Sequence, residues 1–241
     1  MSNNSKEKTI FLDFDGVLFD TVKESYLLSR YAYYRISPFD KINEKEYSLF
    51  HSLRHLITNS WNYYFVMKII DKYQDVDNYS DLYKKMIKED RVVADEFDKI
   101  FQQKRKDLIT NHFEFWNSLD DPYPFFYEIK KWQEVFNIII VSTKNEEAIL
   151  SHCKDYGLKI DEKNIIGKSK LKEYKTKSKF IEEYLTNNNI SEAIFVEDNL
   201  SALKACEYIK PLIKLLANWG YVEDMSLGLS CQEIINIITK G

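Results

Sequence analysis

The sequence predicts an α/β fold: a doubly wound, Rossmann-like parallel sheet with an inserted α-helical cap domain. Three observations point there. Short apolar, β-prone runs alternate with helix-length segments, so the connections should be crossovers of a parallel sheet. One long stretch, 24–119, carries almost no strand signal. Three of the apolar runs end in acidic or hydroxyl residues, at the strand ends where such sheets bind ligands.

The first strand is Thr9-Ile-Phe-Leu12, short and apolar enough to be buried on both faces. Asp13 ends it and Asp15 follows two residues later, so both carboxylates leave on one side while Phe14 goes to the other. Gly16 lets the chain turn just beyond. Two carboxylates at the end of a buried strand repel and are costly to desolvate. A hard cation and a catalytic task explain them; solvated turn formers after an edge strand are the bland alternative.

Asp20 or Thr21 can cap the helix that follows. Apolar residues at helical spacing predict segments near 22–34, 44–58, 60–73, 79–88 and 91–118, with breaks at Ser37-Pro38 and across 75–80. This block lies between two strands and reads as the inserted cap, residues 23–121, with 1–22 and 122–241 forming the core. Its aromatics, among them Tyr63, Tyr64, Phe65, Phe113, Phe115 and Trp116, read as packing between helices. His51 and His55 are four apart on a predicted helix but have no third ligand in view, so they read as a helix face rather than a metal pair. Asp75, Asp77 and Asp81 lack the glycine and terminal glutamate of a calcium loop and read as a polar turn.

Asp120-Asp-Pro-Tyr-Pro124 is the clearest boundary, because proline sets φ and starts or ends helices. A helix is predicted near 124–134, then a strand at Phe136–Val141 ending in Ser142 and Thr143. Next come a helix at 145–156, a weak strand near Asn164–Gly167 and a lysine-rich stretch leading into a helix at 178–187. Ala193–Val196 is a strand ending in Glu197 and Asp198. A helix at 200–209, a strand at Leu212–Ala217 and a helix at 231–239 complete the pattern.

The bulk numbers narrow the function. The chain has 241 residues, net charge −4 and pI near 5.7. That balance favours neither a nucleic-acid backbone nor an anionic membrane as partner. No apolar run approaches the roughly 18–20 residues of a membrane span. Residues 1–8 are polar, lack a signal-peptide core and read as a short tail. Cys153, Cys206 and Cys231 are odd in number and outside any CxxC, which suits free thiols in a reducing cytoplasm. The oligomeric state is not legible.

The three polar strand ends, Asp13/Asp15, Ser142/Thr143 and Glu197/Asp198, thus gather at one edge of the predicted sheet. Here the chain resembles the haloacid-dehalogenase superfamily of phosphohydrolases, in its phosphoglycolate-phosphatase and phosphoglucomutase-like branch. Residues 11–21, Phe-Leu-Asp-Phe-Asp-Gly-Val-Leu-Phe-Asp-Thr, are similar to its first motif. Ile-Val-Ser142 resembles the second motif, Lys177 the third, and Val-Glu197-Asp198 the fourth in its Glu-Asp form. Lys214–Tyr221, ending Asn-Trp-Gly-Tyr, resembles the last strand of phosphoglycolate-phosphatase-like members. The pattern covers residues 9–22 and about 122–240; the insert sits where the type-1 cap sits, without a cap signature.

The resemblance implies a magnesium-dependent phosphatase acting on a small phosphorylated metabolite. Asp13 would be the nucleophile and Asp15 the general acid and base. Asp13, Asp198, the Asp15 carbonyl and, directly or through water, Glu197 would hold Mg²⁺. Ser142, preferred over Thr143, would bind the phosphoryl oxygens, and Lys177 would neutralise them, with Lys175 and Lys179 as competitors. The alternatives are a phosphosugar mutase on the same scaffold and a catalytically silent binding protein.

Overall fold

The computed structural model describes residues 8–73, 76–88 and 91–240. Residues 1–7, read above as a tail, and Asp75 of the polar turn lie outside the described residues. The chain divides into two units. One comprises the residues up to Asp20 and from Pro122 onward, and the other is Thr21–Asp121.

The α/β unit is built on a parallel sheet. Its first strand, β1 (Thr9–Leu12), is followed at the first crossing by a two-residue strand, β2 (Phe19–Asp20). In the helical unit come α1 (Val22–Tyr34), α2 (Glu44–Ser52), α3 (Tyr63–Lys72), α4 (Tyr79–Met86), α5 (Arg91–Asn111) and α6 (Phe113–Asn117). The chain returns through β3 (Asp121–Pro122). It continues as α7 (Pro124–Trp132), β4 (Asn137–Val141), α8 (Glu146–Asp155), β5 (Ile165–Ile166), α9 (Lys168–Tyr174) and α10 (Lys177–Asn187). It ends with β6 (Ala193–Glu197), α11 (Leu200–Lys204), β7 (Leu212–Leu216) and α12 (Cys231–Lys240). The five main strands lie in the order β5-β4-β1-β6-β7, and every pair is parallel.

The continuous apolar runs divide by parity, as a sheet covered on both faces requires. Ile10, Leu12, Ile138, Ile140, Ile194 and Val196 enter one core with Phe125 and Phe126 of α7, Ile149 of α8 and Ile234 of α12. Phe11, Ile139, Val141, Ala193 and Phe195 enter the other, with Phe180 and Ile181 of α10 and Leu203 of α11. Each fully buried Ile or Phe stabilises by roughly 1.5–3 kcal/mol, so these two layers hold the sheet. The helix starts follow from local chemistry. Pro124 opens α7, where its fixed φ is already helical. Thr176 caps α10 by accepting from the Lys179 N–H, and Asn199 caps α11 by accepting from the Ser201 and Ala202 N–H groups. The return into this unit lies beside the exit, because the Tyr123 N–H donates to the Leu18 carbonyl at 2.9 Å.

The helical unit packs around rings and a buried charge pair. Phe50 stacks on Tyr63, and Tyr63 on Phe101, at centroid spacings of 5.4 and 5.6 Å. Glu24 and Arg105 form a two-pronged pair, both contacts 2.7 Å, and the Trp116 indole N–H donates to Glu24 Oε1 at 2.7 Å. Glu24 is fully buried and Trp116 and Phe101 are buried with it.

Several helices are shorter than the periodicity predicts. The 44–58 helix stops at Ser52, and a 3₁₀ turn, Arg54–Leu56, follows. His51 is exposed and His55 lies in that turn, its Nδ1 at 2.9 Å from the Ser52 carbonyl, so the two histidines do not share a helix face. The 60–73 helix begins with a 3₁₀ turn, Ser60–Asn62, in a capping box with Asn59. The 91–118 helix breaks at His112, whose non-helical backbone (φ −141°, ψ 45°) precedes a new helix. Thr21 occupies the N-cap position of α1 without a side-chain capping bond. The lysine-rich stretch holds a helix of its own, α9. Apolar spacing does not reveal such breaks, because caps and short 3₁₀ turns interrupt a helix without interrupting the recurrence of apolar residues.

Candidate active site

The site grows from the register of the three central strands. Leu12 pairs with Ile140 on one side and Val196 on the other, so Asp13 emerges beside Val141 and Glu197. The Asp13 N–H donates to the Val196 carbonyl at 3.0 Å, which extends the ladder by one residue. Its carboxylate Oδ1 accepts the Phe14 N–H at 2.8 Å. Phe14 itself turns into the core and stacks on Phe19 at 4.8 Å. Gly16 has φ of +83°, a conformation that side chains with a Cβ rarely adopt, and its N–H donates to the Phe19 carbonyl at 2.8 Å. That turn redirects the chain directly after Asp15.

Asp13, Glu197 and Asp198 are buried, and each offers an oxygen within 4.8 Å of the others. Lys177, the first residue of α10, reaches into this group: its Nζ lies 2.8 Å from Asp13 Oδ2 and 2.7 Å from Glu197 Oε2. Burial would lower the Lys177 pKa, but the two carboxylates outweigh it and hold the ammonium above its ordinary value. Glu197 is pushed well above the usual carboxylate range by burial first and by the Asp13 charge second. Its other oxygen, Oε1, accepts the Asn199 N–H at 3.2 Å. Asp198 Oδ2 accepts the Tyr221 N–H at 2.6 Å.

Of the three competing lysines, Lys177 meets the carboxylates. Lys175 ends α9 at φ of +70°, and Lys179 is exposed and paired with Glu182 at 2.7 Å. Ser142 is buried one residue beyond β4, its N–H donating to the Ile166 carbonyl at 2.9 Å. Its Oγ accepts the Lys144 N–H at 3.4 Å, and Thr143 between them is half-buried. Asp15 meets a different cation. Lys144 Nζ lies 3.3 Å from Asp15 Oδ1 and 5.7 Å from the centre of the Phe14 ring. Lys144 is buried, with 3% exposure, which is costly for an ammonium without a partner and so marks it as part of the site. The sequence pattern alone does not single it out; its signal is a cation within the polar segment that ends a buried strand.

The donor set fits a hard divalent cation. Three buried acidic side chains converge beside the Lys177 ammonium, a concentration of carboxyl groups that is expensive in a low-dielectric site. All of the donors are oxygens and they come from two strand ends, which suits Mg²⁺ with its few carboxylates plus water and phosphate oxygens.

Comparison with known proteins agrees with this architecture. No family model matches the chain, and no curated protein matches it by sequence. Solved structures do match along nearly its whole length. A structure described as a predicted phosphoglycolate phosphatase from Haemophilus somnus aligns with TM-score 0.62 at 11% identity, over 98% of this chain and 100% of its own. A haloacid dehalogenase-like family hydrolase from Streptococcus pneumoniae aligns with TM-score 0.59 at 14% identity, over 96% and 98%. A predicted phosphatase from Clostridium acetobutylicum aligns with TM-score 0.56 at 14% identity, over 97% and 99%. The chain therefore has the haloacid-dehalogenase-like fold.

Proposed function

We propose that this chain, starting from that fold, is a magnesium-dependent phosphatase that hydrolyses a small phosphomonoester through an aspartyl phosphate on Asp13. The observation that carries the reading is the meeting of Asp13, Glu197 and Asp198 with Lys177 at the carboxyl ends of β1 and β6. Such a cluster is poor structural design unless a cation and an anionic ligand complete it.

In this reading the Asp13 carboxylate attacks phosphorus, and the bond from phosphorus to the leaving alcohol breaks as Asp15 gives that oxygen its proton. Asp15 then takes a proton from water, which attacks the aspartyl phosphate, releasing inorganic phosphate and restoring Asp13. Asp13, Asp198 and the Asp15 carbonyl, with Glu197 directly or through water, would hold Mg²⁺, which supplies charge neutralisation for the dianionic substrate. Lys177 orients the Asp13 carboxylate through its 2.8 Å contact and balances phosphoryl charge. Ser142 and Thr143 lie at the neighbouring strand end, where their hydroxyl groups can bind the phosphoryl oxygens. Lys144 keeps Asp15 beside a positive charge.

The test is phosphate release from para-nitrophenyl phosphate and a panel of small phosphomonoesters, with and without Mg²⁺, for the wild type and Asp13→Asn. Release that requires both the metal and Asp13 is the expected result. Silence across the panel would favour a binding protein, and isomerised phosphosugar without net phosphate release would favour a mutase.

A further inference from the structure

Trp219, Gly220 and Tyr221 follow β7 and pack against the turn that begins at Gly16. The Tyr221 N–H donates to Asp198 Oδ2 at 2.6 Å, and the Tyr221 hydroxyl donates to Asp20 Oδ1 at 2.8 Å. The Trp219 indole N–H donates to the Val17 carbonyl at 3.1 Å, and its ring lies 5.3 Å from that of Phe125. Two glycines permit this closeness. A methyl group on Gly220 would collide with the Gly16 carbonyl and the Asp198 Cβ, and one on Gly16 would collide with the Asp198 carboxylate and the Tyr221 ring. The 16–20 turn, the Asp198 carboxylate and residues 219–221 therefore form one packed block inside the α/β unit.

The consequence lies in the carboxylate. An N–H bond to a charged oxygen is short and strong, and it removes rotational freedom from the group that accepts it. Asp198 Oδ2 is anchored this way, which fixes the direction in which the carboxylate faces. The anchor is the backbone of Tyr221, and a backbone amide stays in place only if its own residue does. The phenol supplies that second fixed point at Asp20, where the chain leaves the unit.

We infer that Tyr221 is a positioning residue for the cation site: its N–H orients Asp198 while its hydroxyl ties the same residue to Asp20. The inference rests on reading Asp13 and Asp198 as cation ligands. Mg²⁺ demands near-ideal octahedral geometry, so a small displacement of one ligand weakens binding. Groups that orient metal ligands from outside typically change affinity 10- to 100-fold.

The experiment is calorimetric titration of Mg²⁺ into the full chain, comparing wild type, Tyr221→Phe, Asp20→Ala, the double variant and Asp198→Asn. Tyr221→Phe keeps the ring and the N–H and loses only the hydroxyl. It should bind Mg²⁺ about 10-fold more weakly, Asp20→Ala should do the same, and the double variant should be no weaker than either. The half-saturating Mg²⁺ for phosphate release should rise by the same factor, with substrate KM at saturating Mg²⁺ unmoved. If the wild type and Asp198→Asn differ but Tyr221→Phe and Asp20→Ala bind like wild type, the positioning role is overturned and the cation reading stands. Additive losses in the double variant also overturn it. Absence of Mg²⁺ binding by the wild type removes both.

Discussion

Lys177 Nζ lies 2.8 Å from Asp13 Oδ2, so the first residue of one helix neutralises the first residue past a strand 164 positions earlier in the chain. The same ammonium holds Glu197 at 2.7 Å. Replacing it with methionine leaves two buried carboxylates facing each other. We predict that Lys177→Met loses about 3–5 kcal/mol of stability, the usual cost of stripping one partner from a buried ion pair. Adding Glu197→Gln should restore part of that loss. Urea denaturation of the metal-free protein checks both statements, and equal stability of wild type and Lys177→Met would contradict the first.

Lys144 offers a separate test of the chemistry. Its Nζ is the cation beside Asp15, and it is buried in the turn after β4. Lys144→Met should lower kcat by about 100-fold, the low end of what a proton-transfer group contributes, because Asp15 loses the charge that orients it. Steady-state kinetics with para-nitrophenyl phosphate measures this, and unchanged kcat would remove Lys144 from the site.

The Glu24–Arg105 pair predicts the behaviour of the helical unit. Arg105→Met leaves Glu24 buried with its charge uncompensated, a loss of about 3–5 kcal/mol. The double variant Glu24→Leu with Arg105→Met should recover part of it, since apolar groups of similar volume often replace a buried pair at little cost, while the Trp116 N–H loses its acceptor. Chemical denaturation of the three variants gives the comparison; a double variant as unstable as the single one would mean that the pair is needed for packing rather than charge.

Glu146 sets an acid limb. It sits in the first turn of α8 and its Oε1 accepts the Ser169 and Lys170 N–H groups at 3.1 and 3.0 Å. Burial raises its pKa, but these N–H groups outweigh that and hold it below the ordinary value of 4.5. A depressed carboxylate stabilises the fold above its unfolded pKa and loses that effect as pH falls through the folded one. Glu146→Gln should therefore be less stable than wild type at pH 7, with the gap closing below about 4.5. Denaturation midpoints measured between pH 7 and pH 3 test the sign; a gap that widens in acid would refute it.

Much of the architecture is legible in the sequence because it is local. The apolar runs that become β1, β4, β6 and β7 are each short, β-prone and flanked by helix-length segments, and this alone implies an α/β sheet. Asp13, Asp15 and Gly16 lie within four residues, so their pattern is visible without a fold. Helix ends were harder, as the breaks at Ser52 and His112 show, because a capping geometry competes with apolar periodicity that continues through it.

What the sequence by itself determined is the class of fold and the residue types at the strand ends. Tertiary structure decided which side chains meet. Resemblance prefers Lys177, but the string leaves Lys175 and Lys179 as competitors. Thr176 caps the helix and so sets its phase, which sends Lys177 to Asp13 and Glu197 and turns Lys179 outward to Glu182. Lys144 beside Asp15, and Tyr221 between Asp198 and Asp20, are likewise set by register between strands far apart in the chain. Pattern along a chain fixes which face a residue occupies, but contact between distant residues depends on strand pairing and helix phase, and these exist only once the whole unit is folded.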